Sequence, residues 1–160
     1  MSATTDRILD QVKVGDELPD LPYDVSATTV VFGALATRDI RPMHHDKDFA
    51  QNRSGVKDVF LNTPNLAHWF ERYVTDWTGP RGRPGRMKFR MQGSVFAGEQ
   101  MVFKGKVTEV GVDDAGCGWV GIEVRVDVEG ETKTSCEARF ALPTSADDNP
   151  WTRKGDAWRP

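Results

Sequence analysis

Hydrophobic side chains follow two different periods along this chain. Between Asn62 and Trp77, the residues Leu66, Trp69, Phe70, Tyr73, Val74 and Trp77 fall at i, i+3, i+4, i+7, i+8 and i+11, the stripe of one helical face. Thr63 offers an N-cap hydroxyl with Pro64 at the first helical position, and Gly79-Pro80 ends the run. An apolar load this heavy, two tryptophans included, predicts a central helix rather than a peripheral one.

After this helix the period drops to two. Met87, Phe89 and Met91 alternate with Lys88, Arg90 and Gln92, Ala97-Gly98-Glu99 reads as a turn, and MVFKGKVTEV follows as a strand. From Trp119 to Val128 the alternation is cleanest, with Val120, Ile122, Val124, Val126 and Val128 on one face and Gly121, Glu123, Arg125 and Asp127 on the other. Gly130 then turns the chain into TKTSCEARFAL. A hairpin centred there pairs residues whose numbers sum to roughly 260. Cys136 then faces Val124 rather than Cys117, which predicts two free thiols.

Upstream, Tyr23 to Phe32 is rich in β-branched and aromatic residues, either a strand or a strand turning into a short helix through Gly33 to Ala36. Residues 1–20 lead into the domain. The last stretch, PTSADDNPWTRKGDAWRP, has no period. The expected layout is one domain over 1–142 and a C-terminal tail over 143–160, disordered or docked, on a partner or through Trp151 and Trp158. One sheet face and one long helix give an α+β fold in which an antiparallel sheet wraps the central helix.

Composition narrows the classes. With 160 residues there is room for one ordinary domain. Acidic residues outnumber basic ones 24 to 21, so the net charge of -3 argues against a nucleic-acid binder. The longest apolar run, Val30 to Ala36, is far short of the about 20 residues a membrane span needs. The start, MSATTDRILD, lacks the basic and apolar stretches of a signal peptide. Two cysteines make no disulfide framework. The expectation is a soluble, cytoplasmic protein with no membrane or nucleic-acid partner.

The segment ALATRDIRPMHHDKDFA, residues 34–50, holds two of the three histidines and three aspartates. Pro42 forbids a regular helix across it. In an extended strand Asp39 and His44 point to opposite faces, whereas a loop turned by Pro42 brings both into one pocket. On spacing alone such a pair is as easily a solvated or capping pair as a reactive one. His45 diverges from His44 and reads as a loop or interface residue. His68 lies off the apolar face of the long helix and reads as a structural or interface residue. No set of His, Cys, Asp or Glu recurs at metal-ligand spacing, so no metal is expected. RGRPGRMKFR, residues 81–90, has five basic residues and no acid, either a solvated loop or an anion anchor.

The segment resembles the hydratase motif of the MaoC-like, (R)-specific enoyl-CoA hydratases of the hotdog superfamily, D-x-N-P-x-H. Asp39 and His44 match the catalytic positions, Pro42 the proline and Asp46 the trailing acid, while Arg41 stands where the family has Asn. FRMQGSVFAGEQM is similar to the strand-turn-strand after the family's helix. ALATRD, HHD, KDVFLN and ERYVTDWTGP are similar to the small single-domain subunits of actinobacterial hydratases acting on steroid side-chain enoyl-CoA thioesters. The resemblance spans most of residues 20–142 and implies a hotdog fold. It also implies an acyl-CoA substrate with no separate cofactor, and a homodimer or a heteromer with a second MaoC-like chain.

Hydration of a trans-2-enoyl thioester needs a base for water at C3, a proton source at C2 and a donor to the thioester oxygen. The resemblance gives the first two to Asp39, expected with a pKa raised by desolvation, and His44, which can hold the water and deliver the proton. It gives the third to the start of the long helix, where Asn62 and Thr63 replace the family's glycine and unpaired backbone N–H groups face outward. Arg83 and Arg86 are the expected anchors for the coenzyme A phosphates. Two rivals remain: a hotdog thioesterase using Glu71 on the long helix, and a non-catalytic partner subunit.

Overall fold

The structure is a computed structural model that describes residues 6–160; the opening residues 1–5 of the expected lead-in lie outside the described residues. Helix α3, Thr63–Thr78, carries the predicted stripe, with Leu66, Phe70, Tyr73, Val74 and Trp77 buried. It begins one residue earlier than the sequence suggested. Asn62, not Thr63, is the N-cap, and its side chain makes no capping hydrogen bond.

Four antiparallel strands follow: β2 over Arg83–Met91, β3 over Gln100–Val112, β4 over Gly118–Val128 and β5 over Glu131–Leu142. A preceding strand, β1 over Glu17–Asp24, completes a five-stranded sheet in the order β1-β3-β4-β5-β2. Val124 pairs with Cys136 as the hairpin arithmetic required. Glu129 and Gly130 both take positive φ, 52° and 84°, the signature of the two-residue turn whose twist suits a hairpin. Both cysteines are free and buried. Pro84 is tolerated because β2 is an edge strand, at a register shift between Pro84 and Arg86.

The Phe70 ring lies 5.4 Å from Phe89 on β2 and 5.0 Å from Phe103 on β3. Those strands are three positions apart, about 14 Å in a flat sheet, so one ring touching both means the sheet curls around the helix. This is the expected α+β architecture.

Two expectations that the sequence left open are decided here. Of the two readings of Tyr23–Phe32, the strand turning into a helix is the nearer: the strand sits earlier, ending at Asp24, and the helix, α1, already begins at Ala27 and runs to Ala36. Ser26 caps it by accepting from the Thr29 N–H at 3.0 Å, and burial of Val30 and Ala34 overrides the β-branched character of the run. Of the placements left open for the tail, it takes the one docked through Trp158, against the chain's own sheet. Trp158 sits 5.0 Å from Trp119, whose outward face forms a small second core with Cys117 and Ala141. The Arg83 guanidinium stacks 3.6 Å from the Trp158 ring and donates to the carbonyls of Pro150 and Arg153. Trp119 is why the outer face of β4 departs from simple alternation. Trp158→Ala is expected to lower the unfolding free energy by about 1–3 kcal/mol, through the lost aromatic and cation–π contacts. An unchanged denaturant midpoint would mean the tail contributes nothing.

Candidate active site

Helix α1 delivers the first site residue. Its end carries paired bonds, Arg38 N–H to the Leu35 carbonyl and Asp39 N–H to that of Ala34 at 2.9 Å, with Arg38 in the left-handed region at φ 57°. This is a Schellman stop in which arginine occupies the place glycine usually takes. The reversal swings Asp39 back under α1 toward the start of α3. A short 3-10 turn over Pro42–His44 then brings His44 round.

The loop turned by Pro42 sets His44 Nε2 3.5 Å from Asp39 Oδ2, longer than a good hydrogen bond. His44 is 4% exposed, and its Nδ1 contacts the Phe60 carbonyl oxygen at 2.9 Å. A carbonyl only accepts, so Nδ1 carries the proton. In neutral His44 the Nε2 lone pair therefore faces Asp39. The Phe60 ring packs edge-on against the imidazole at 4.8 Å and fixes its plane.

Asp39 is held by more partners than its spacing suggested. Its side chain is 22% exposed, and burial pushes the carboxyl up. Against that stand the Asn62 amide, the charge of His44, and the Arg41 backbone N–H and guanidinium. Their sum places the Asp39 carboxyl below the ordinary aspartate value of 3.8, correcting the expected upward shift. The Asn62 amide donates to Asp39 Oδ2 at 3.1 Å and to Thr37 Oγ1 at 2.8 Å. Arg41 itself is exposed, its Nε 4.0 Å from Asp39 Oδ1.

The remaining sequence candidates divide. Thr63 opens α3 with its side chain exposed. Among the described residues its N–H and that of Asn65 have no partner, and Pro64 between them has no N–H to offer. Arg83 and Arg86 lie on β2, outside the Asp39–His44 cluster. Arg83 is committed to the tail, while Arg86 is exposed and in no ion pair among the described residues. Asp46 caps the short helix α2, Lys47–Asn52, by accepting from the Phe49 N–H at 3.0 Å. His45 is exposed and contacts the Ile40 carbonyl. Glu71 is half-buried on α3 and forms no hydrogen bond or ion pair among the described residues. No group of three metal-ligating side chains occurs among the described residues, nor is any helix there long and apolar enough to cross a membrane.

Sequence reasoning missed Thr37, Phe60 and the side-chain role of Asn62. Phe60 acts on His44 through a backbone carbonyl, which no residue type announces. Asn62 had a detectable signal, since asparagine at a helix start is a polar side chain with a choice of partners.

No protein-family model matches the chain. It is 39% identical over 97 residues, 61% of this chain and 74% of the relative, to the 3-oxo-4,17-pregnadiene-20-carboxyl-CoA hydratase beta subunit of Mycobacterium tuberculosis. Its fold matches a chain of the ChsH1-ChsH2 complex from the same organism at a TM-score of 0.73 and 30% identity, covering 81% of this chain and 98% of that one. A MaoC-like dehydratase from Rhodospirillum rubrum superposes at a TM-score of 0.74 with 15% identity, covering 85% of this chain and 96% of its own.

The Phe60 contact makes a spectroscopic prediction. Nitrogen-15 correlation spectra of neutral His44 are expected to show the proton on Nδ1 and a bare Nε2. A proton on Nε2 instead would contradict this ring orientation.

Proposed function

Since the chain belongs to the MaoC-like hydratases of the hotdog superfamily, we propose that it hydrates a trans-2-enoyl-CoA thioester with Asp39 and His44 as the reacting pair. The observation that carries this is the facing of Asp39 Oδ2 and His44 Nε2 at 3.5 Å, each with capacity to spare for one shared water. Water gives a proton to Asp39 as its oxygen bonds to C3. The C2–C3 π pair moves toward the thioester oxygen, and a proton returned from the pair to C2 completes the addition. The Asp39 carboxyl, held below the ordinary aspartate value, is charged at neutral pH and so is in the form that can take a proton. The unpaired N–H of Thr63, at the positive end of α3, is the donor for the developing thioester charge.

The acyl group we assign is a steroid side chain, supported by the name of the relative at 39% identity. Coenzyme A enters as part of the substrate, and no separate cofactor is required. Arg86, exposed and uncommitted among the described residues, is the residue we assign to its phosphates; Arg83 is occupied by the tail. A second MaoC-like chain as partner is supported by the likeness to a chain of a two-component complex. Two surface hollows, about 630 and 1090 Å³, are lined by other residues and include neither Asp39 nor His44.

The test is loss of the conjugated enoyl-thioester absorbance, run with the chain alone and co-expressed with a second MaoC-like chain. Asp39→Asn is expected to lower kcat by about 10²- to 10⁴-fold with no release of free thiol from either protein. A wild-type rate in Asp39→Asn overturns the assignment. Thiol release that survives Asp39→Asn moves the reaction to thioester hydrolysis.

A further inference from the structure

Asparagine at a helix N-cap ordinarily turns its side-chain oxygen onto a free first-turn N–H, which stabilises the helix by about 1 kcal/mol. Asn62 does not. It is 1% exposed, makes no cap bond, and its Oδ1 is buried without a partner. The residue thus carries two unfavourable arrangements at once, an uncapped helix end and a buried orphan acceptor.

The other half of the amide shows what is gained. The Thr37 hydroxyl lies 2.8 Å from the Gly33 carbonyl and 3.1 Å from that of Ala34. Its one proton goes to a carbonyl, so toward Asn62 its oxygen can only accept. The atom of Asn62 facing Thr37 is therefore the NH2 group, independently of anything at Asp39. The second hydrogen of the same nitrogen points at Asp39 Oδ2. A flipped amide would set Oδ1 against two acceptors.

On the hydratase reading, we propose that Asn62, locked in orientation by Thr37, is the positioning residue that aims the Asp39 carboxylate at His44. The relay runs Asn62 to Thr37 to the last turn of α1, so the start of α3 and the end of α1 are pinned to each other through the reacting loop. The titratable and charged groups facing Asp39 are His44 from the 3-10 turn and Arg41 from the loop, with the Asn62 amide the contact from α3. Burial is the largest influence on the Asp39 pKa and raises it; of the influences that lower it, the Asn62 hydrogen bond is the largest. Removing the amide leaves burial less opposed, so the carboxyl must rise and protonate at higher pH.

The experiment follows the Asp39 side-chain carboxyl by carbon-13 NMR titration, assigned with Asp39→Asn, in the wild type, Asn62→Ala and Thr37→Val. It is paired with pH profiles of kcat and KM and with thermal unfolding. For Asn62→Ala we expect an upward Asp39 titration and an acid limb of kcat shifted the same way. At pH 7 we expect a roughly 10- to 100-fold lower kcat with KM within about threefold, as for a misaimed reacting group. Thr37→Val is expected to move the titration in the same direction by less, since the amide remains but is no longer held. Unfolding midpoints should fall only modestly, because losing the two amide hydrogen bonds is offset in part by removing the buried, unpaired Oδ1.

An Asp39 titration unmoved in both variants overturns the proposal. So does a fall in kcat that only tracks a fall in the unfolding midpoint. Should Asn62→Ala fail to fold, Thr37→Val decides alone. The titration needs no turnover, so a shifted carboxyl in a chain that never hydrates an enoyl thioester would fault the hydratase reading and leave the Asn62 assignment standing.

Discussion

The aromatic face of α3 pressed into the sheet is the constraint on which everything else depends. Phe70, Tyr73 and Trp69 all meet Phe103 on β3, and Phe70 reaches Phe89 on the opposite edge strand. Burial of this face fixes the helix in rotation and along its axis, because a shift of one residue would turn aromatic side chains into solvent. The first turn of α3 is then a fixed point in space. Asn62 and Thr63 inherit that precision, and Asp39 receives it through one amide hydrogen bond.

The reacting pair is built from a loop and made accurate by rigid neighbours. A Schellman stop with a left-handed arginine aims Asp39, a proline-led turn aims His44, and a carbonyl from the strand-like segment at Phe60 sets the imidazole tautomer. Phe60 is itself tied to Phe96 by an isolated bridge, next to the turn where Glu99 accepts from the Phe96 N–H at 2.7 Å and pairs with Lys57. The loop between α2 and α3 and the turn before β3 therefore both bear on one imidazole. Loops supply the chemistry and the helix–sheet core supplies the coordinates.

Asp39 illustrates why burial alone does not decide a carboxylate. Desolvation is the largest single influence on it and pushes its pKa upward. Four favourable contacts together outweigh that push, and the group ends below the ordinary range. A sequence shows that an aspartate is near an apolar run; the number of donors gathered around it depends on elements far apart in the chain.

The α3 stripe, the period-two strands, the register of the last hairpin and the free thiols were all legible, because each follows from local periodicity or from the arithmetic of a single turn. The Asp39–His44 pair was legible as a motif, since five residues and a proline define the loop that joins them. The true bounds of β1, the start of α1 at Ala27 and the surface of Trp119 on which the tail docks were not, since each is settled by a contact with a distant element rather than by local propensity. The same holds for Asn62. Its type and place at a helix start were written in the chain, but whether it caps its own helix or reaches 23 residues back to Asp39 is a competition between hydrogen bonds. Only the packed fold, by bringing Thr37 and Asp39 within reach of one nitrogen, decides it.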